Sequence, residues 1–91
     1  MSPAEFLEFA KRCAVQGRVR LSSHAEVESL PRRHIQAADV RSALESATKA
    51  SPQAGSDKWK LEGGKDLDGD DLTVIAAAEG DGLRIVIVTA F

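Results

Sequence analysis

The chain has 91 residues, of which 43% are hydrophobic and 29% charged, with a net charge of −2 and a single cysteine. That length supports one core, because a domain this small hides only about 60–70% of the surface its unfolded chain exposes. The composition excludes a disordered chain, a globally basic nucleic-acid binder, an internal disulfide and a cysteine-based metal site.

No apolar run nears the roughly 18 residues that a membrane span requires. The first dozen residues, "MSPAEFLEFAKR", carry acids early and lack the long apolar stretch of a signal peptide. A cytoplasmic, single-domain protein is the expectation. Residues 1–49 hold eight Lys/Arg against six Asp/Glu, while residues 50–91 hold four against eight. Any anion-binding site must therefore be local.

In chain order, "SPAEFLEFAKRCAVQG" has the parts of a complete helix. Ser2 is placed to cap it, Pro3 fills the first position, Glu5 closes a capping box and Gly17 stops it. Phe6, Phe9, Ala10 and Cys13 follow helical spacing and form its buried face, so Cys13 is expected to be an inert, buried thiol. "RVRL" alternates as a half-buried strand. Ser23 with Glu26 reads as the capping box of a short helix that Pro31 should end, since the residue before proline avoids the α region.

A further helix is expected over "AADVRSALESATK", capped near Gln36, with Ile35 stapled onto Val40, and "ASPQAGS" reads as a loop. The remaining third is β in character. "DKWKLE" alternates, with Trp59 and Leu61 on one face and Lys58 and Lys60 on the other, and Trp59 reads as core. "LTVIAAA" and "LRIVIVTAF" are nearly continuous apolar runs, the mark of strands covered on both faces. "GGKDLDGDD" and "EGDG" supply hairpin turns. The expected fold class is α+β, with N-terminal helices packed on a mostly antiparallel sheet of about four strands.

"DLDGDDL" resembles the start of a calcium loop but fails its spacing. Such a loop places glycine sixth and a bidentate Glu twelfth; counted from Asp66, those positions are Asp71 and Ala77. A hairpin turn is the expectation, and no metal site.

The chemistry-bearing residues cluster in "LSSHAEVESLPRRHI". His24 sits in the first turn of the short helix, where the positive end of the helix dipole disfavours a charged imidazole, and this suits a general base. The bland alternative is a histidine hydrogen-bonded to a neighbouring strand. Arg32, Arg33 and His34 follow Pro31 in a turn that either holds a phosphate or is a solvated basic turn paired to Glu26 or Glu28. Arg18, Arg20, Lys58 and Lys60 form one basic stripe if their strands are neighbours, and otherwise a solvated sheet face.

Together, "GRVRLSSHA", "PRRHIQAADVRSAL", the tryptophan strand and "GGKDLDGDDLTVIAAAE" resemble the small bacterial domains related to the RelE, ParE and MqsR toxins. The resemblance covers nearly the whole chain. It implies a RelE-like fold and the role of a toxin in a toxin-antitoxin pair, a ribonuclease that cuts mRNA with no metal or other cofactor. The implied partners are a cognate antitoxin protein and RNA, with no membrane. His24 would be the base or its orienter, Arg32 or Arg33 the charge stabiliser, His34 an acid, and Lys58 or Lys60 contacts to the RNA backbone, with Arg18 and Arg20 as further RNA-binding candidates. The alternative from another class is a non-catalytic interaction module of the same fold. That module would use an exposed sheet edge or the acidic hairpin of Asp66, Asp68, Asp70 and Asp71.

Overall fold

The computed structural model describes all residues, 1–91, as an α+β fold in which helices pack against a five-stranded mixed sheet. Helix α1 (Pro3–Gln16) forms as its end signals require. The Ser2 N–H donates to Glu5 Oε1 at 2.8 Å, the Glu5 N–H donates back to Ser2 Oγ at 3.1 Å, and Gly17 closes the helix in the left-handed region. Its stripe of Phe6, Phe9, Ala10, Cys13 and Ala14 is fully buried. Phe6 stacks on Trp59 with ring centroids 4.8 Å apart, which joins the helix to the sheet.

Strand β1 (Val19–Leu21) follows at once. The next segment departs from expectation. Ser22, not Ser23, is the cap: its Oγ accepts from the Ala25 N–H at 3.1 Å. Nor does Pro31 end the helix. A π-helical turn (Ala25–Ser29) leads straight into α2 (Leu30–Arg32), with the Leu30 N–H bonded to the Ala25 carbonyl. A proline inside an α-helix forfeits a hydrogen bond and presses its ring on the carbonyl one turn back. Widening the preceding turn shifts that register, so Pro31 falls in the first turn of α2, where its missing N–H is not called upon.

After a turn at Arg33 and His34, helix α3 (Ala37–Ser46) starts behind Gln36, whose N–H donates to Asp39 Oδ2 at 3.0 Å. It ends three residues before the expected Lys49, because Lys49–Pro52 forms a strand, β2. The sheet is completed by β3 (Trp59–Glu62), β4 (Val74–Glu79) and β5 (Arg84–Ala90). Its order is β1-β5-β4-β3-β2, antiparallel throughout except for the parallel pair β1 and β5. The fifth strand, β2, lay in the expected helix end and loop. "KASP" has little strand propensity of its own and is extended because it pairs with β3 at an edge, where Pro52 is tolerated.

One face of the sheet carries the core. Val74, Ala76, Leu61, Ile85 and Ile87 are buried beneath α1 and α3 with Val40, Ala43 and Leu44. On the opposite face Val86 is buried, while Ile75, Ala77, Val88 and Thr89 are only half-buried. The apolar runs of β4 and β5 are therefore covered by helices on one side, not both. Gly64 lets the loop after β3 lie on α3, since a Cβ there would collide with the Ala43 carbonyl.

The edge of β5 is finished by side chains. β1 stops at Leu21, and beyond it the Ser29 hydroxyl donates to the Ala90 carbonyl at 3.2 Å and accepts from the Ala90 N–H at 3.1 Å. Ser29 has one hydrogen to give, so the Thr89 hydroxyl, 2.6 Å away, must be the donor of that pair. Ser29→Ala leaves two buried backbone groups of β5 without partners. The expected loss is about 1–3 kcal/mol, read from urea unfolding midpoints, and a change below about 0.5 kcal/mol would show that the hydroxyl is not what holds this edge.

Candidate functional site

Continuation of the helix through Pro31 has a geometric effect. His24 lies at the start of the π-helical turn, and Arg32 and Arg33 at the end of α2, all on the side that faces Thr89 of β5. The three line one shallow pocket of about 140 Å3 with Glu28, Ser29 and Thr89, with no apolar side chain in its wall. His24 Nδ1 lies 3.1 Å from Glu28 Oε2, one turn along. Both side chains are more than half exposed, and in the tautomer with the proton on Nδ1, beside that carboxylate, Nε2 is the atom left with a lone pair to accept a proton. The Arg33 guanidinium rests 6.0 Å from the centroid of the Phe91 ring.

His34 is not part of this pocket. It is exposed in the turn after α2, in the left-handed region at φ 57°, where its N–H bonds to the Pro31 carbonyl. The expected basic stripe does not form either, because β5 and β4 separate β1 from β3. Lys60 projects from β3 3.9 Å from Glu62, and Lys58 is exposed just before that strand. Arg20 is bidentate to Glu79, with Nε 3.0 Å from Oε1 and Nη2 2.6 Å from Oε2. The same carboxylate takes Arg84 Nε at 2.9 Å. Arg18, Arg20 and Arg84 share a groove at the far end of β1.

Two of the four aspartates of the acidic hairpin are occupied with its own fold. Asp66 Oδ1 accepts from the Asp68 and Asp70 N–H groups, both at 2.9 Å, and Asp71 pairs with Lys65. Asp39 Oδ1 accepts the Leu67 N–H at 3.1 Å, which ties the loop to the start of α3. No group of three His, Cys, Asp or Glu side chains is placed to hold a metal ion. Cys13 is buried in the core, and burial pushes its thiol up, away from the reactive thiolate.

Sequence reasoning placed Glu28 beside the basic turn and not beside His24, and missed Thr89, Phe91, Glu79 and Arg84 as neighbours of these sites. Glu28 stands four residues after His24, a spacing that alone would have paired them. The others are brought in by strand pairing and carry no local signal. The chain matches no protein-family model, no curated protein and no solved structure.

The pairing at Glu79 has a consequence in acid. The hydrogen bond from Arg20, helped by the charges of Arg20 and Arg84, holds the Glu79 carboxyl below the usual carboxylate range. A carboxyl lowered in the folded state adds stability that is complete above its unfolded value and is lost as pH falls through the folded one. Glu79→Gln should therefore flatten the acid limb of a Tm-against-pH curve below about pH 5. Parallel limbs for the two proteins would show that this pairing gives no net stability.

Proposed function

We propose that the pocket between the π-helical turn and β5 is the reaction centre of a metal-independent ribonuclease, and that the protein acts as the RelE-like toxin its sequence resembles. The observation that supports this most is the convergence of His24, Arg32 and Arg33 on one polar pocket, from positions eight and nine residues apart that a proline separates.

In this reading the scissile phosphate lies against the two guanidinium groups. His24 Nε2 takes the proton of the ribose 2′-OH, and the oxygen attacks phosphorus. The new P–O2′ bond forms as the P–O5′ bond breaks, and the departing 5′-oxygen takes a proton from solvent. The products are a 2′,3′-cyclic phosphate and a 5′-hydroxyl, so the atoms balance with no added reactant beyond the proton that His24 returns to water.

Arg32 and Arg33 face the negative charge that builds on the equatorial oxygens, where fixed cations act most strongly. Glu28 keeps the imidazole in its accepting tautomer. His34, outside the pocket, has no part in this scheme.

His24→Ala should lower the cleavage rate of a single-stranded RNA by about 100-fold or more, the usual contribution of a general base. Arg33→Ala should have a comparable effect through loss of charge stabilisation. Both side chains are exposed, so thermal unfolding should move little. Time courses on labelled RNA, with growth arrest on expression as the cellular readout, test this. Cleavage or arrest that persists unchanged in the double variant would remove the proposal.

A further inference from the structure

We infer that the groove at the opposite end of β1, lined by Gly17, Arg18, Val19, Arg20, Leu83 and Arg84 and about 440 Å3 in volume, binds the phosphate backbone of single-stranded RNA. The inference rests on the reading of the His24 pocket as a nuclease centre. It keeps Arg18 and Arg20 of the expected stripe, drops Lys58 and Lys60, which the strand order separates from them, and adds Arg84.

Three guanidinium groups face this groove and one carboxylate answers them. Glu79 is bidentate to Arg20 and also within 2.9 Å of Arg84, so it orients both forks but neutralises only one. Arg18 has no ion-pair partner. Its backbone carbonyl accepts the Ile85 N–H at 3.0 Å, so the residue is held where the two strands begin. A fixed guanidinium fork matches the geometry of a phosphate oxygen pair, and the net positive charge is local on a chain that is acidic overall.

The ligand class follows from the groove's place. β1 and β5 run parallel, with Val19 opposite Ile85 and Leu21 opposite Ile87. The groove lies where both begin, and the His24 pocket lies beside Thr89, near the end of β5. Arg20, its register partner Val86 and Thr89 all belong to the face opposite α1 and α3, on which Arg20 is exposed, Thr89 half-buried and Val86 buried. From Arg84 to Thr89 the strand rises roughly 17 Å, a span of a few nucleotides. One extended polyanion can lie along this edge with a phosphate at the arginines and another at the reaction centre. A compact anion cannot reach both.

The test measures binding of a fluorescein-labelled oligouridine by anisotropy, in a His24→Ala background so that the probe stays intact. Arg18→Glu with Arg84→Glu should weaken binding at least tenfold near physiological salt. It should also lower the slope of log affinity against log salt by roughly 0.7 for each phosphate contact removed. Glu79→Gln should tighten binding several-fold, a gain of function that no misfolded variant would give. Unchanged affinity and salt slope in the double reversal would overturn the inference. So would binding of polyglutamate in place of the RNA through the same arginines, which would make the groove a protein site. Wild-type protein that binds RNA through these arginines but never cuts it would remove the nuclease reading and leave this one standing. Cleavage that ignores the reversals would do the opposite.

Discussion

The structure depends on how the open edge of β5 is closed. β1 is only three residues long, and beyond Leu21 the chain leaves the sheet. The backbone groups of β5 on that side would then be buried without partners, at a cost of about 1–3 kcal/mol each. Two serines prevent this. The Ser22 N–H bonds to the Ile87 carbonyl at 2.9 Å and its hydroxyl caps the helical turn, while Ser29 satisfies both backbone groups of Ala90. These contacts stitch the π-helical turn and α2 onto the strand edge at two points one helical segment apart. His24, between the two stitches, and Arg32, just past the second, are held over Thr89 as a result.

Five of the twelve Lys and Arg residues of this acidic protein lie along the same edge. Arg18, Arg20 and Arg84 stand at one end of β5, and Arg32 and Arg33 at the other. Glu79 pairs with Arg20 and Arg84 in the first group, while in the second Glu28 lies beside His24 and leaves both arginines without an ion-pair partner. A net charge of −2 therefore says little about what this face attracts. Nearby charges govern contact with an anion, and of the acidic hairpin that lowers the total, Asp66 is turned to loop geometry and Asp71 is paired with Lys65.

Much of the fold was legible because local chemistry and tertiary structure agree. Ser2, Glu5 and Gly17 bound α1, Gln36 and Asp39 begin α3, and alternation marks β1 and β3. Legibility failed where a distant partner decides the local form. "KASP" is a strand only because β3 lies beside it, and the π-helical turn exists because Pro31 has to be absorbed while Ser29 stays on Ala90. The site divides the same way. His24 and the arginines were visible as residue types, but whether they meet depends on the helix passing Pro31. The basic stripe was misjudged because it required β1 and β3 to be neighbours, and strand order is a property of the whole chain.

The central claim is that a histidine and two arginines on this stitched segment form a transesterification centre. It is tested most directly by the termini produced when the purified protein meets single-stranded RNA in the presence of a chelator. The account predicts 2′,3′-cyclic phosphate and 5′-hydroxyl ends, identified by mass spectrometry. Intact RNA, or ends carrying 3′-hydroxyl and 5′-phosphate, would contradict it.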